Sequence, residues 1–364
     1  MLAPVPIRSV KVHALTIPTE ERESDGTLDW TSTTMILVEV TAGGRTGFGY
    51  TYAHKAAAEL IRDKLAGLVV GCDAMAIPAA WKSMVEAVRN LGRPGLASEA
   101  IAAVDTALWD VKARLLSVPL ARLMGMVRES VTVYGSGGFT SMSIAELTEQ
   151  LGRWAESGIA MVKMKVGSNP AQDLDRVAAA RQAIGPSVSL MVDANGAYGR
   201  KQACAMAEGF ARHDVIWFEE PVSSDDLEGL AMIRTRVPHC VEIAAGEYGY
   251  DLSYFFRMLE AGAVDVLQAD ATRCMGLTEF LRTGALCEAM STPLSAHTAP
   301  ALHLHACCAL PALRHMEYFH DHVRIEEMLF EGVTKPRNGK LAPDLSRPGM
   351  GLEPRRDVVE RWAA

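Results

Sequence analysis

From residue 131 onward the chain repeats one unit eight times: a short apolar run, in most cases followed by an amphipathic stretch of helical length. The runs are "VTVYGSGG", "MVKMKVG", "SLMVDANG", "VIWFEEP", "VEIAAGE", "VDVLQAD", "TPLSAH" and "LRHMEYF". Short apolar runs bounded by turn residues are the pattern of strands buried on both faces, and strands that alternate with helices pair in parallel. Eight of them predict an α/β fold with a (β/α)8-type barrel rather than an open sheet, with seven helices plus a C-terminal return as the alternative. No Gly-x-Gly-x-x-Gly follows a strand and opens a helix, which disfavours a dinucleotide fold.

The region before residue 131 has another texture. "SVKVHALTI" and "TTMILVEVTAGGRTGFGYTY" alternate apolar and polar residues, with Gly43-Gly44 as a turn in the second. The polar stretch between them, "PTEERESDGTLDW", is expected to be a mobile loop turning at Asp25-Gly26. Helical patterns follow near residues 55–69, 74–91 and 97–117, the last with Ser98 as its expected N-cap. A chain of 364 residues exceeds one ordinary core. The expected division is an α+β capping domain over 1–128, a catalytic barrel over 129–322, and a tail over 323–364 that returns to the cap.

Composition narrows the class of partner. A net charge of −8 disfavours nucleic acid or an anionic membrane surface, and 49% hydrophobic with 22% charged residues is the balance of a soluble globular protein. Seven scattered cysteines without C-x-x-C spacing are expected as reduced thiols, which points to the cytoplasm. "MLAPVPIRSVKVHAL" lacks the apolar core of a signal peptide, and no run of 18 apolar residues offers a membrane span.

The chemistry collects at the strand ends. Expected strands two to eight finish in Lys163 and Lys165, Asp193, Glu219-Glu220, Glu247, Asp270, His297 and Glu317. In a barrel these ends converge on one mouth, where active sites sit. Each residue alone reads equally well as a loop-starting polar group; the whole series does not. Asp193, Glu219 and Glu247 come from successive strands. Three converging carboxylates resist full ionisation unless a cation sits among them, and the oxygen set fits Mg2+, with Mn2+ as a substitute. "MVKMKVG" places Lys163 and Lys165 on one strand face, where the neighbouring ammonium and a nearby Mg2+ together are expected to depress one amine's pKa. His303 and His305 do not share a helix face and read as packing or mouth-lining groups; His320 and His322 read as a solvated turn or pocket lining.

In their order, K-x-K, D-A-N, E-E-P, G-E, D, H and E, these motifs resemble the mandelate racemase subgroup of the enolase superfamily, over nearly the whole chain. The resemblance implies a modified barrel with an α+β cap. It makes Glu219 of "FEEP" the ligand beside Asp193 of "VDAN" and Glu247 of "AAGE". It also implies a Lys163-assisted Lys165 base, a His297–Asp270 dyad on the opposite side of the substrate, and Glu317 on the substrate carboxylate. A lysine or histidine base with magnesium is the pattern of that superfamily.

The implied reaction removes the proton α to a carboxylate. Dehydration of an aldonate or aldarate to a 2-keto-3-deoxy acid is the expected outcome, with racemisation, epimerisation or cycloisomerisation as the alternative. Specificity in such enzymes comes from the cap, here Trp30 of the polar stretch and Tyr50, Tyr52 and His54 of "GYTYAH", with Asn195 of "VDAN" on the barrel side. Hydroxyl, indole and imidazole donors suit a polyhydroxylated acid. The resemblance further implies a homo-oligomer, a dimer or an octamer. A non-catalytic binding protein on a barrel scaffold and a metal-dependent hydrolase are the competing classes.

Overall fold

The computed structural model describes residues 4–363. The cap opens with β1 (Ile7–Ser24), β2 (Asp29–Ala42) and β3 (Arg45–Tyr52), a three-stranded antiparallel sheet. β2 and β3 join through Gly43-Gly44, with Ala42 facing Arg45 and φ of 53° and 77° at the two glycines. Positive φ at both central residues is the two-residue hairpin turn whose twist matches the strands. A helical run follows: α1 (Ala56–Leu60), a π-helical turn (Ile61–Leu65) and α2 (Ala66–Val69). Then come α3 (Ile77–Ala87), α4 (Leu96–Leu115) and α5 (Leu120–Met124). Gly49 lets α4 lie directly on the sheet, since a Cβ there would stand 2.3 Å from the Ala103 carbonyl oxygen. Ser98 is not the N-cap. α4 starts two residues earlier, and the Ser98 hydroxyl donates to the Gly95 carbonyl from inside the first turn.

All eight expected barrel strands form. They are β4 (Val131–Gly137), β5 (Met161–Lys165), β6 (Ser189–Asp193), β7 (Val215–Glu219), β8 (Glu242–Ala245), β9 (Val266–Ala269), β10 (Leu294–Ala296) and β11 (Leu313–Phe319). They pair in parallel in sequence order, and β11 closes on β4. A helix follows each, namely α6 (Ile144–Glu156), α7 (Pro170–Ile184), α8 (Arg200–Ala211), α9 (Leu227–Arg236), α10 (Leu252–Glu260), α11 (Leu277–Ala289), α12 (Pro300–Cys307) and α13 (His320–Leu329). Eight strands therefore carry eight helices, not seven. Alternation does the sorting: Val162, Leu190, Val192, Phe218 and Leu267 face the helices, while Tyr134, Met191, Trp217, Ala244 and Val266 fill the interior.

The boundary expected at 322/323 falls inside α13. Beyond it, β12 (Phe330–Glu331) pairs with β14 (Glu353–Pro354), and β13 (Lys340–Leu341) pairs antiparallel with the start of β4. α14 (Arg356–Trp362) packs on β1, and Arg356 grips both carboxylate oxygens of Glu39 on β2 at 2.5 and 3.0 Å.

The polar stretch expected to be a mobile loop is instead the far end of the β1–β2 hairpin, paired through Glu23–Trp30 and Ser24–Asp29. The Asp25 carboxylate closes the tip by accepting from the backbone N–H groups of Thr27 and Leu28 at 2.6 and 2.7 Å. The tip is docked on the barrel rim. Thr140, just after β4, donates to the Asp25 carbonyl at 2.7 Å, and a Cβ on Gly26 would stand 2.3 Å from the Ala194 carbonyl oxygen and 2.7 Å from that of Val166. Only glycine allows so close an approach.

Candidate active site

Strand register sets the mouth. Lys165 lies opposite Asp193, and Asp193 opposite Glu219, so three consecutive strands end at one level with charged side chains turned inward. Backbone strain gathers just past these ends: Asn195, Glu220, Thr298 and Ala299 all hold positive φ. Glu220, the second carboxylate of "FEEP", is buried close to the group that Glu219 joins, and burial with the neighbouring Glu247 charge raises its pKa.

Asp193, Glu219 and Glu247 are buried, and each offers an oxygen within 4.8 Å of the others. Glu219 Oε1 has no hydrogen-bond partner among the described residues. Burial, together with the neighbouring Asp193 charge, pushes the Glu219 carboxyl up to about 8. An orphaned oxygen, hard donors and mutual repulsion fit a divalent cation of the Mg2+ type.

Lys163 is fully buried beneath this group, with Nζ 2.6 Å from Glu219 Oε2 and 2.9 Å from Glu317 Oε1. Lys165, one turn of the pleat nearer the mouth, lies 2.5 Å from Asp193 Oδ2 and lines the cavity above. The two ammonium groups do share a face, as their spacing required. Their mutual repulsion does not dominate, however. Burial, the largest influence, acts to lower the Lys165 pKa and Lys163 adds to that, but the Asp193, Glu247 and Glu219 carboxylates together outweigh both and hold the amine more basic than an ordinary lysine. The depression expected from the sequence is therefore absent from the protein by itself, because each lysine has a carboxylate of its own.

His297 stands at the other end of the group. Its Nε2 lies 3.1 Å from Glu247 Oε2 and its Nδ1 2.9 Å from Asp270 Oδ2. Burial would lower its pKa, but Glu247, Glu317 and the Asp270 hydrogen bond raise it to about 10. Asp270 is also braced by Thr272, whose N–H and hydroxyl both donate to Oδ1 at 2.7 Å. Glu317 accepts from the Thr298 N–H at 3.1 Å and is held down at about 2; burial opposes this, and Lys163 and His297 outweigh it.

A cavity of about 710 Å3 opens over these residues, and Trp30, Tyr52, His54 and Asn195 line it as expected. Tyr50 does not. It is fully buried against Phe330, and its hydroxyl donates to Glu326 on α13 at 2.6 Å. Two residues along the same strand face, Tyr52 stacks on His322, in the first turn of α13, at 3.5 Å. His322 thus lines the cavity, while His320 sits outside it, 3.3 Å from Glu20. His303 and His305 are buried packing groups; each has one ring nitrogen against a backbone N–H and the other against a carbonyl. Arg273 and Asp25 were missed by sequence reasoning. Arg273 follows Asp270 by three residues, reaches Glu247 Oε1 at 3.1 Å and lies over the Tyr248 ring. Its place just past a strand end was the available signal.

Comparison with known proteins agrees with this geometry. Residues 22–125 match the family model "Mandelate racemase / muconate lactonizing enzyme, N-terminal domain", and residues 146–358 match "Enolase C-terminal domain-like". A mandelate racemase/muconate lactonizing enzyme-like protein from Rubrobacter xylanophilus is 53% identical, with a TM-score of 0.97 over 99% of this chain and 100% of that one. A 3,6-anhydro-alpha-L-galactonate cycloisomerase of Streptomyces coelicolor is 34% identical over 95% of this chain and 96% of its own length. The L-talarate/galactarate dehydratase of Salmonella typhimurium LT2, solved with Mg and L-lyxarohydroxamate, is 29% identical, with a TM-score of 0.91 over 100% of this chain and 94% of that one. With both family models matched over most of its length, the chain belongs to the enolase superfamily, in its mandelate racemase and muconate lactonizing enzyme group.

Proposed function

We propose that this protein is a Mg2+-dependent lyase that removes the proton α to the carboxylate of an acid sugar and expels the β-hydroxyl, giving a 2-keto-3-deoxy acid. The observation that carries this reading is the placement of two proton-handling groups at opposite ends of one buried carboxylate triad: Lys165 against Asp193, and His297 against Glu247. When bound at Asp193, Glu219 and Glu247, the ion supplies Lewis-acid stabilisation of the charge that builds on the substrate carboxylate and offsets the negative field that keeps Lys165 protonated.

Lys165 Nζ takes the α-proton, and Lys163, buried between Glu219 and Glu317, adds fixed positive charge below. Asp270 holds the Nδ1–H of His297, which leaves Nε2 to give its proton to the departing hydroxyl. Glu317 faces the substrate carboxylate and hydrogen-bonds it as a donor once it carries a proton. Exclusion of water falls to the cap, whose hairpin tip is docked on the rim.

The same pair supports a second reading, racemisation, epimerisation or cycloisomerisation, in which His297 reprotonates carbon instead. Similarity to the cycloisomerase favours keeping it. Proton NMR in D2O with Mg2+, over a panel of aldonic, aldaric and simple 2-hydroxy acids, separates the two. Dehydration is expected to remove the α-signal and add 3-deoxy methylene resonances; exchange or inversion without those resonances assigns an isomerase.

The reading extends to organisation: residues 1–128 and the tail from 323 as cap, 129–322 as catalytic barrel, and a homo-oligomer, dimer or octamer, which light scattering tests. A cytoplasmic location belongs to the same proposal. The seven cysteines are free, which supports a reducing compartment, and no helix among the described residues is long and apolar enough to cross a membrane.

A further inference from the structure

The cavity has a charged floor and an uncharged or acidic roof. Among the described residues that line it, the only lysine and arginine side chains are Lys165 and Arg273. Both are on the floor, and each is paired with a carboxylate. The roof comes from the cap and brings Asp25, Ser32, Tyr52 and His54 to the cavity. Asp25 sits in an acidic setting. Glu20, Glu21 and Asp29 share its end of the hairpin, while the one lysine or arginine between Glu20 and Asp29, Arg22, is taken up by Asp29 at 2.8 Å.

Two groups on the cavity wall lack partners. The Tyr52 hydroxyl and Asn195 Oδ1 are buried and make no hydrogen bond among the described residues, although both residues face the cavity. A buried polar atom without a partner is destabilising, so a ligand hydroxyl that meets it binds preferentially. Asn195 is held in place for this, because its N–H donates to Asp193 Oδ1 at 2.9 Å. His54 Nδ1 accepts from the Ala56 N–H, which leaves the Nε2 hydrogen free to donate.

We infer that the substrate is a monoanionic polyhydroxylated acid, seated with its one carboxylate at the triad and its hydroxyls under the roof, and that Tyr52, Asn195 and Asp25 select it against the dianionic acid of the same configuration. The inference rests on the α-proton reading above and narrows it from acid sugars in general to the aldonate type, open-chain or cyclic. Tyr52 and Asn195 recognise hydroxyls. Asp25 rejects a second carboxylate by like-charge repulsion, on the order of tenfold or more at an effective dielectric of about 20.

The test is kcat/KM with Mg2+ on matched pairs of six-carbon aldonates and aldarates, together with deuterium incorporation at C2 for each. Aldonates are expected to be preferred by roughly tenfold or more. Asp25→Asn keeps the Oδ1 acceptor that closes the turn and removes the charge, so it is expected to shrink that preference by about tenfold. The ratio of two substrates on one preparation does not depend on the fraction folded. Aldarates turned over as well as aldonates, or a ratio unmoved by Asp25→Asn, overturns the inference and leaves α-proton chemistry standing. No exchange with either class overturns the α-proton reading, and this inference with it.

Discussion

The barrel mouth and the cap roof face each other across one cavity and are built on opposite principles. The mouth is a set of buried charges, Lys163, Lys165, Asp193, Glu219, Glu247, Asp270, His297 and Glu317, each within reach of an opposite charge. Their positions follow from strand register, which cannot slip by one residue without turning every side chain to the helix side. The roof is a hairpin tip and a strand end, carrying hydroxyl, indole and imidazole groups placed by a few contacts with the rim. Rigid pairing suits bond-breaking, where sub-ångström placement matters; a separately hung roof can change its selectivity without disturbing the chemistry below.

Breaking the mouth should cost most. Lys165→Ala is expected to lower kcat by on the order of a thousandfold while Mg2+ binding, measured by calorimetry, persists. Asp193→Asn or Glu219→Gln is expected to weaken Mg2+ binding itself, and chelation of the wild-type protein to abolish turnover until Mg2+ is restored. Retained activity in chelator would remove the metal from the account.

Breaking the seam between the two regions comes next. Gly26→Ala puts a methyl group where backbone oxygens of the barrel already stand, so the hairpin must lift. A loss of about a hundredfold in kcat/KM is expected from the displaced roof, with a small change in Tm. Unchanged kinetics would mean that the roof does not have to close on the rim.

Tyr50 and Tyr52 sharpen the comparison within one strand. Tyr50→Phe leaves Glu326 Oε1 without its donor, the Ala301 N–H still serving Oε2, and is expected to destabilise folding by about 1–2 kcal/mol in urea, with KM unchanged. Tyr52→Phe is expected to do the reverse, raising KM with stability nearly unchanged. The same outcome for both would erase the assignment of one to the core and the other to the site.

A separate prediction is a pH dependence of stability that comes from two histidines outside the proton-transfer pair. His305 and His315 are buried and neutral, pushed by burial from an ordinary 6.5 to about 4 and about 3. The unfolded chain takes up protons at these residues that the folded one refuses. Their stabilising contribution is therefore complete above 6.5 and declines as pH falls from 6.5 towards those lower values, by up to about 1.4 kcal/mol per pH unit for each. Urea denaturation at pH 7.5 and 5 measures this, and His305→Asn should flatten the slope.

How far the sequence could be read differs between the same two regions. The eight strands and their terminal charges were legible because short apolar runs, turn residues and strand-end position are local properties of the chain. So were the triad, the paired lysines and His297, since a parallel barrel sends every strand end to one mouth. The hairpin was not legible. Polar residues from Thr19 to Asp29 read as a loop, yet cross-strand pairing and docking on the rim extend both strands to Ser24 and Asp29. Ser98 was misread for a related reason: the helix start was decided by packing on the sheet at Leu96.

By itself, then, the sequence determined which residues end each barrel strand and hence what chemistry the mouth can do. Only the tertiary structure decided the protonation of Lys165, where a carboxylate from the next strand outweighs the lysine two residues away. It also decided that Tyr52 reaches the cavity and Tyr50 does not, and that Asp25 becomes part of the roof. Electrostatic fields and cavity walls are summed over groups far apart in the chain, and no local pattern records which distant groups will meet.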